Sequence, residues 1–246
     1  MTFANKISKN HDGMMFLTSF SFLLVGPLLL LIPLLLYLSI KIPGFLLSPE
    51  YLESESFLFD SLIADAAAKV IMIAFFAVIF FKELKENLIR FGKDWASNLV
   101  YIIGGIVVMY GLMLVLGLIY TVLGIEGDSA NQQIIINATN SPIKPFMFFS
   151  TVIAAPFIEE MIFRKFLFGF CEKTLKMSKW VSLIVSSLIF AAIHVITDID
   201  SLVFIFQYLA LALVISLSYI LSRKNIFVPM GIHFINNLIS FIQITL

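Results

Sequence analysis

Two adjacent glutamates and an arginine stand close together in an apolar stretch, FIEEMIFRKF at residues 157–166. On a helix, Glu160 and Arg164 are four residues apart with the acid first, the arrangement that best supports an intrahelical ion pair. Glu159 points about 100° away around the helix axis and finds no partner within its own helix. Such a carboxylate either meets a polar group on another helix, is protonated because burial disfavours its charge, or serves as a base.

Two of the three histidines also lie in apolar stretches. His194 ends the sequence FAAIH, and His233 and Asn237 are four residues apart, on one helical face, in HFINN. A single histidine on an apolar helix is more often a packed core residue than a catalyst. Together, an unpaired carboxylate, two imidazoles and an amide can activate a water molecule and stabilise an oxyanion. The candidate catalytic residues are therefore Glu159, His194, His233 and Asn237.

The composition defines the elements that must position these residues. Hydrophobic residues make up 60% of the 246, charged residues 13%, and the mean hydropathy is +1.02, well above the balance of a soluble domain. The chain is therefore predicted to be an integral membrane protein. Its formal net charge of zero gives no basic field for nucleic acid, and its one cysteine excludes an intramolecular disulfide.

Apolar runs long enough to cross a bilayer, roughly 20 residues each, predict an all-α bundle of about seven transmembrane helices. The runs lie at about 14–40, 61–81, 98–124, 146–170, 180–197, 201–221 and 226–245. The fifth and sixth, separated only by TDID at 197–200, are the weakest. The loops are too short for a soluble domain, so we expect one membrane domain over 1–246, with 146–246 as its motif-bearing core.

Basic residues gather in alternate loops. One set of loops contains Lys6, Lys9, Lys82, Lys85, Arg90, Lys93, Lys173, Lys176, Lys179, Arg223 and Lys224, and the other set only Lys41 and Lys144. Since basic loops stay in the cytoplasm, we expect a multi-pass protein of the cell membrane with a cytoplasmic N-terminus.

The remaining polar and reactive residues do not point to a second catalytic site. Asp65 and Lys69, four residues apart in the second run, are expected to form an ion pair near the outer end of their helix. The chain contains no GxSxG sequence for a serine nucleophile. Cys171 lies near a basic loop without a neighbouring histidine, and Asp128, in an outer loop, has no second intramembrane aspartate with which to form a dyad.

Three motifs resemble those of a known family. EEMIFR at 159–164 fits EExxxR, FAAIH at 190–194 fits FxxxH, and HFINN at 233–237 fits HxxxN, in this order and on successive apolar runs. The chain thus resembles the CPBP family of intramembrane proteases, which includes type II CAAX prenyl endopeptidases and bacterial proteins described as abortive-infection or bacteriocin-immunity proteins. The resemblance covers about the last hundred residues.

The resemblance implies a role for each motif residue. Glu159 and His194 would hold and deprotonate a water molecule that attacks a peptide carbonyl, while His233 and Asn237 would stabilise the oxyanion. Glu160 and Arg164 would orient the site. The resemblance favours a water activated by glutamate without an obligatory metal, but zinc held by Glu159, His194 and His233 stays an alternative.

The resemblance also implies an intramembrane endopeptidase that cleaves a membrane-associated peptide or protein. A bacterial member could process, or protect its host from, a small peptide such as a pheromone or bacteriocin. The alternatives are a non-catalytic membrane partner, such as an immunity protein or a scaffold that regulates a sensor kinase, and a proton-linked transporter. Intact motif residues argue against a degenerate scaffold, and the compact polar set argues against transport.

The depths of the two histidines conflict with a shared site. Counted at 1.5 Å per residue from the cytoplasmic helix ends, His233 lies about 10 Å deep and His194 about 20 Å deep. One water would reach both only if the fifth helix began later than Trp180, was tilted, or was broken. Pro156 and Pro229 are expected to distort their helices near Glu159 and His233.

Overall fold

The computed structural model describes residues 14–18, 20–21, 55–139, 143–196 and 198–246, and its regular secondary structure is helical throughout these ranges. The all-α fold class is thereby confirmed. The helices are α1 (Glu55–Ile79), α2 (Phe81–Lys93), α3 (Trp95–Leu123), α4 (Ala130–Thr139), α5 (Lys144–Thr174), α6 (Lys179–Ile193), a 3₁₀ helix (Ile199–Phe204), α7 (Ile205–Leu221) and α8 (Phe227–Thr245).

Five apolar segments of the described chain are long enough to cross a membrane: Asp60–Ile79, Trp95–Leu123, Lys144–Thr174, Ile199–Leu221 and Phe227–Thr245. They agree with the second, third, fourth, sixth and seventh predicted runs. The first run lies largely outside the described residues. The fifth corresponds to α6, whose 15 residues rise only about 22 Å. The chain is a multi-pass bundle, and α6 is its short apolar member.

The connecting segments separate into two ends of the bundle. At one end, Lys224 pairs with Glu172, and Arg90 donates to the carbonyl of Arg223, so α2 and the C-terminal end of α5 both meet the loop after α7. At the other end, the backbone N–H of Ala130 donates to Ser201 Oγ. The described helices therefore alternate in direction, as the distribution of basic residues predicts.

Two helices lie within segments that the apolar runs leave as loops. α2 follows α1 after the single turn residue Phe80 and is strongly amphipathic, with its lysines exposed and Asn87 buried. α4 follows Gly127, whose φ of +93° suits a residue without a side chain. Both helices are too short and polar to appear as membrane spans.

The centre of the bundle is α5, which carries EEMIFR. In its most apolar stretch 61% of the residues are buried, against 11% in α3, which turns most of its side chains outward. Phenylalanines from three helices pack around it, with Phe166 against Phe76 and Phe80, and Phe163 against Phe190. Burial on all sides keeps water from Glu160 and Arg164, whose side chains are fully buried.

The backbone of α5 is not a regular α-helix. A π-helical segment, Phe149–Ala154, precedes the short α-helical segment Ala155–Glu160, and a second, Met161–Leu167, follows it. Pro156 lies at the junction, where its missing N–H disrupts the regular ladder, so the distortion expected near Glu159 is present. π-helical turns are rare and concentrate at functional sites. Pro229 instead lies in the first turn of α8, where proline is tolerated, so its expected distortion is wrong.

Candidate active site

Glu159 lies between the two histidines. Its Oε2 is 3.9 Å from Nε2 of His194 and 3.9 Å from Nε2 of His233. That oxygen is buried and accepts no hydrogen bond from the described part of the chain. A separation of 3.9 Å is too long for a direct hydrogen bond, and it lets one water molecule contact both groups.

The expected conflict in depth is absent, because Nε2 of His194 and Nε2 of His233 lie at the same distance from Glu159 Oε2. Asn225 and Ile226, just before it, are buried, and both hydrogen-bond to Asn87 of α2. α8 therefore starts inside the protein, whereas the count assumed that both helices start at one level. α6 starts at Lys179, capped by Ser178, and not later.

His194 is fixed at the C-terminal end of α6. Its Nδ1 lies 2.8 Å from the carbonyl oxygen of Phe190, and because a carbonyl only accepts, Nδ1 carries the hydrogen. In the neutral ring Nε2 then presents its lone pair towards Glu159. The imidazole also packs on the ring of Phe190 at 4.5 Å and of Tyr208 at 4.8 Å, at angles of 31° and 25°.

A second charged group lies deeper. The ion pair predicted within α5 is present, with Arg164 Nε 3.1 Å from Glu160 Oε2 and both side chains fully buried. Arg164 also donates to the carbonyl of Ala212 and lies 4.7 Å from the centre of the Phe190 ring. Glu160 Oε1 is 2.8 Å from Nδ1 of His233. This contact, which the i, i+4 spacing alone does not indicate, fixes the ring of His233.

Asn237 is oriented by two contacts. Its Nδ2 donates to the carbonyl of Thr151 at 2.8 Å, and Asn236 Nδ2 donates to its Oδ1 at 3.1 Å. The Thr151 carbonyl belongs to the first π-helical segment of α5. One of the two amide hydrogens of Asn237 is thus used, and the other is available to a ligand.

A cavity of about 380 Å³ connects these groups. Glu159, His194, His233 and Asn237 all line it, so the structure brings the four sequence-predicted residues together. Glu160 and Arg164 lie behind this wall. A volume in this range suits a small ligand or several residues of an extended peptide.

The ion pair of Asp65 and Lys69 is present at 2.8 Å, as expected from their spacing. Both residues line the same cavity, and Asp65 also accepts a hydrogen bond of 2.7 Å from Ser150. The pair therefore forms part of the wall of the site and anchors α1 to the π-helical segment beside Asn237.

Sequence reasoning missed Tyr208 and the segment at Ser129. The Tyr208 hydroxyl lies 2.6 Å from Ser129 Oγ. A tyrosine within an aliphatic span combines an apolar ring with a hydroxyl group that usually forms a hydrogen bond when buried. This property was the one signal in the sequence that could have pointed to Tyr208. The partner cannot be found from spacing because Ser129 lies 79 residues away.

The described residues contain no group of three or more histidine, cysteine, aspartate or glutamate side chains arranged to hold a metal ion. The residues that the family resemblance offered for zinc, Glu159, His194 and His233, thus do not form such a group in this geometry. No step of the chemistry below is assigned to a metal.

The fold and the site define a polytopic membrane protein with a buried carboxylate and histidine centre. Residues 141–239 match the family model described as type II CAAX prenyl endopeptidase Rce1-like. The chain is also 34% identical over 161 residues to the membrane-embedded CAAX protease MroQ of Staphylococcus aureus (strain USA300). That alignment covers 63% of this chain and 58% of the relative. No solved structure matches the chain.

These C-terminal residues are thus similar to the Rce1-like CAAX proteases, and the resemblance to the CPBP family recognised from the three motifs is confirmed.

Proposed function

We propose that the protein is an intramembrane endopeptidase that hydrolyses a peptide bond of a membrane-associated peptide or protein. The observation that carries this proposal is the geometry at Glu159, whose buried, unpartnered Oε2 lies 3.9 Å from both histidine Nε2 atoms at a cavity. The match of residues 141–239 to the family model and the name of the relative point to the same reaction class. The catalytic core comprises residues 146–246 of a single membrane domain.

Glu159 and His194 activate the nucleophile. A water molecule between Glu159 Oε2 and His194 Nε2 donates its hydrogens to these two acceptors. As its oxygen bonds to the peptide carbonyl carbon, one proton passes to this pair, which acts as general base. The same proton is then delivered to the leaving nitrogen as the C–N bond breaks, which leaves a carboxylic acid and an amine.

His233 and Asn237 stabilise the oxyanion. The Asn237 amide donates its second hydrogen while Thr151 holds the first. His233 donates from Nε2 when its ring carries both protons, and the Glu160 carboxylate on Nδ1 then faces a full positive charge. The removal of one such donor from an oxyanion site costs about 3 kcal/mol in activation free energy.

Glu160 and Arg164 orient the site from behind. Glu160 joins α5 to α8 through His233, and Arg164 joins α5 to α7 through the carbonyl of Ala212. Buried ion pairs of this kind can fix a single arrangement of helices even where they add little stability. The pair thus serves the relative placement of Glu159 and His233.

The substrate reaches this site from the membrane. The cavity lies within the helical bundle, so a peptide anchored in or near the bilayer can enter it without leaving the lipid. The distribution of basic residues among the loops favours a cytoplasmic N-terminus. A lipid-modified cysteine near the scissile bond is the substrate feature that the name of the family suggests.

The test is proteolysis by purified protein in liposomes, with fluorogenic membrane-anchored peptides, with and without a prenylated cysteine, and mass-spectrometric mapping of the products. Glu159→Gln preserves the shape of the side chain and removes the base, so we expect it to lower kcat by about 10³-fold or more. Glu172→Gln is the matched control, since it makes the same change on the same helix, at the ion pair with Lys224.

Three outcomes decide the assignment. Cleavage that is lost in Glu159→Gln, kept in Glu172→Gln and indifferent to a chelator supports the glutamate-activated water. Loss with chelator and recovery with added zinc would replace it by the metal alternative. If no peptide is cut, while Glu159→Gln still complements a deletion strain, the protein is a non-catalytic membrane partner.

A further inference from the structure

The imidazole of His194 is held by an aromatic ring from outside the three motifs. Tyr208 lies near the start of α7, lines the cavity, and packs on His194 at 4.8 Å and 25°. Phe190, which belongs to the second motif, packs on the same imidazole at 4.5 Å. His194 therefore contacts one ring on α6 and one on α7, at interplanar angles of 31° and 25°, and both rings line the cavity.

Tyr208 is itself fixed at its hydroxyl group. Its oxygen lies 2.6 Å from Ser129 Oγ and accepts a longer hydrogen bond, 3.4 Å, from Asn131 Nδ2. Ser129 is 3% exposed and sits just before α4. The neighbouring backbone is tied down in turn, because Ala130 N donates to Ser201 Oγ, which donates to Asp198 Oδ2.

The orientation of His194 needs such support. Among the described residues, its one hydrogen bond is that of Nδ1 to the Phe190 carbonyl, and a ring held at one atom can still rotate about it. A cavity of about 380 Å³ lies beside the ring. Nε2 has to stay within one water of Glu159, and a displacement of about 1 Å at a reacting group can cost about 100-fold in rate.

We propose that Tyr208 is a positioning residue, which holds the His194 imidazole towards Glu159 by ring packing, and that Ser129 holds Tyr208 in place. The ring and the hydroxyl group have separate tasks. The catalytic consequence rests on the proposed peptidase function, whereas the placement of His194 does not.

A set of variants tests the ring and the hydroxyl group of Tyr208 separately. Tyr208→Leu removes the ring, Tyr208→Phe removes only the hydroxyl group, and Ser129→Ala removes the partner of that group. Phe206→Leu is the matched control, because it makes an equivalent change two residues away on α7, at a side chain that is 57% exposed. The double variant Tyr208→Phe/Ser129→Ala tests whether the two groups act as one unit.

The first measurement does not depend on peptidase activity. Diethyl pyrocarbonate acylates unprotonated imidazole nitrogens, and mass spectrometry reports its rate at His194 and His233 separately in the folded protein. We expect Tyr208→Leu to raise the rate at His194 by about 5-fold or more, with His233 unchanged, because the ring no longer covers the imidazole. An unchanged His194 rate in Tyr208→Leu would overturn the proposal.

The second measurement is peptide cleavage. Tyr208→Leu should lower kcat by about 10- to 100-fold with KM within about 2-fold, since positioning acts on the chemical step. Tyr208→Phe and Ser129→Ala should each lower kcat by about 3-fold, and the double variant by no more than either one. A raised KM at constant kcat would mean that Tyr208 only contacts substrate, and it would overturn the positioning role of Tyr208. Additive effects in the double variant would mean that Ser129 and Tyr208 act independently, and they would overturn the role of Ser129 in holding Tyr208.

Failure of this proposal and of the peptidase assignment can be told apart. If the wild-type protein cuts no peptide, the peptidase assignment fails, and the labelling rates still decide the placement of His194. If Tyr208→Leu does not fold in detergent, labelling of His194 in Tyr208→Phe, Ser129→Ala and the double variant decides. Equal increases in all three support the proposal, and no increase in any overturns it.

Discussion

Replacing Arg164 by methionine should destabilise the protein far more than a comparable change on its neighbour. Arg164 and Glu160 are both fully buried, 3.1 Å apart, and methionine keeps much of the side-chain volume while removing the charge. Among the described residues, the Glu160 carboxylate would then remain buried with His233 as its one partner. Removal of one partner from a buried ion pair costs about 3–5 kcal/mol, because the other charge is left uncompensated.

Lys165→Met is the matched control. Lys165 is the next residue and pairs with Glu83, a side chain that is 53% exposed, so solvent screens the interaction. Such pairs contribute about 0–1 kcal/mol. The contact of Lys165 with the ring of Phe80 adds about 0.5–1 kcal/mol. We therefore expect a loss below about 2 kcal/mol for Lys165→Met.

The double variant Glu160→Gln/Arg164→Met isolates the cause. It removes both charges and keeps an oxygen that accepts the hydrogen of His233 Nδ1, so it should be more stable than Arg164→Met alone. The assay is unfolding by SDS in mixed micelles, followed by circular dichroism. If Arg164→Met loses no more stability than Lys165→Met, or if the double variant is the least stable, the reasoning about a buried uncompensated carboxylate is refuted.

Two further predictions concern packing and orientation. A Cβ at Gly105 would lie 2.5 Å from Cδ1 of the buried Ile232, whereas a Cβ at Gly104 meets nothing within 4 Å. Gly105→Ala should therefore lower the free energy of unfolding by about 1–3 kcal/mol through overpacking, and Gly104→Ala should raise it by about 0.5–1 kcal/mol. Both changes are measured by the same SDS titration. Asn236→Ala removes the donor to Asn237 Oδ1, so it should lower kcat about 10-fold at similar KM, because the Asn237 amide can then turn away from the oxyanion. Ser240→Ala, one turn further along the same cavity wall, should leave kcat within about 2-fold of wild type, and equal losses in both variants would contradict a specific role of Asn236.

Local features of the site could be predicted because a helix fixes them. The spacing of Glu160 and Arg164 determines that they share a face, and the same period separates Glu159 from them. The five long spans follow from apolar length alone. Neither α2 nor α4 could be predicted from apolar length, because a short helix with a polar face contains no apolar run of membrane length.

Contacts between helices could not be predicted in this way. The residues just before α8 are held by hydrogen bonds of Asn87 to Asn225 and Ile226, almost 140 residues apart in sequence. Tyr208 carries no periodic signal that distinguishes it from an ordinary packed aromatic residue. Both features depend on tertiary burial, which overrides what a single helix specifies.

The two adjacent glutamates differ because their surroundings differ. Glu160 faces into the bundle, where it contacts Arg164 and His233, so it joins helices. Glu159, turned about 100° around the same helix, faces the cavity, and its Oε2 has no hydrogen-bond donor in the described part of the chain. One backbone thus presents a structural carboxylate and a free one side by side, the kind of division by environment through which enzymes assign separate roles to neighbouring acids. The cost of burying two acids together is explained if Glu160 holds Glu159 and the histidines in place.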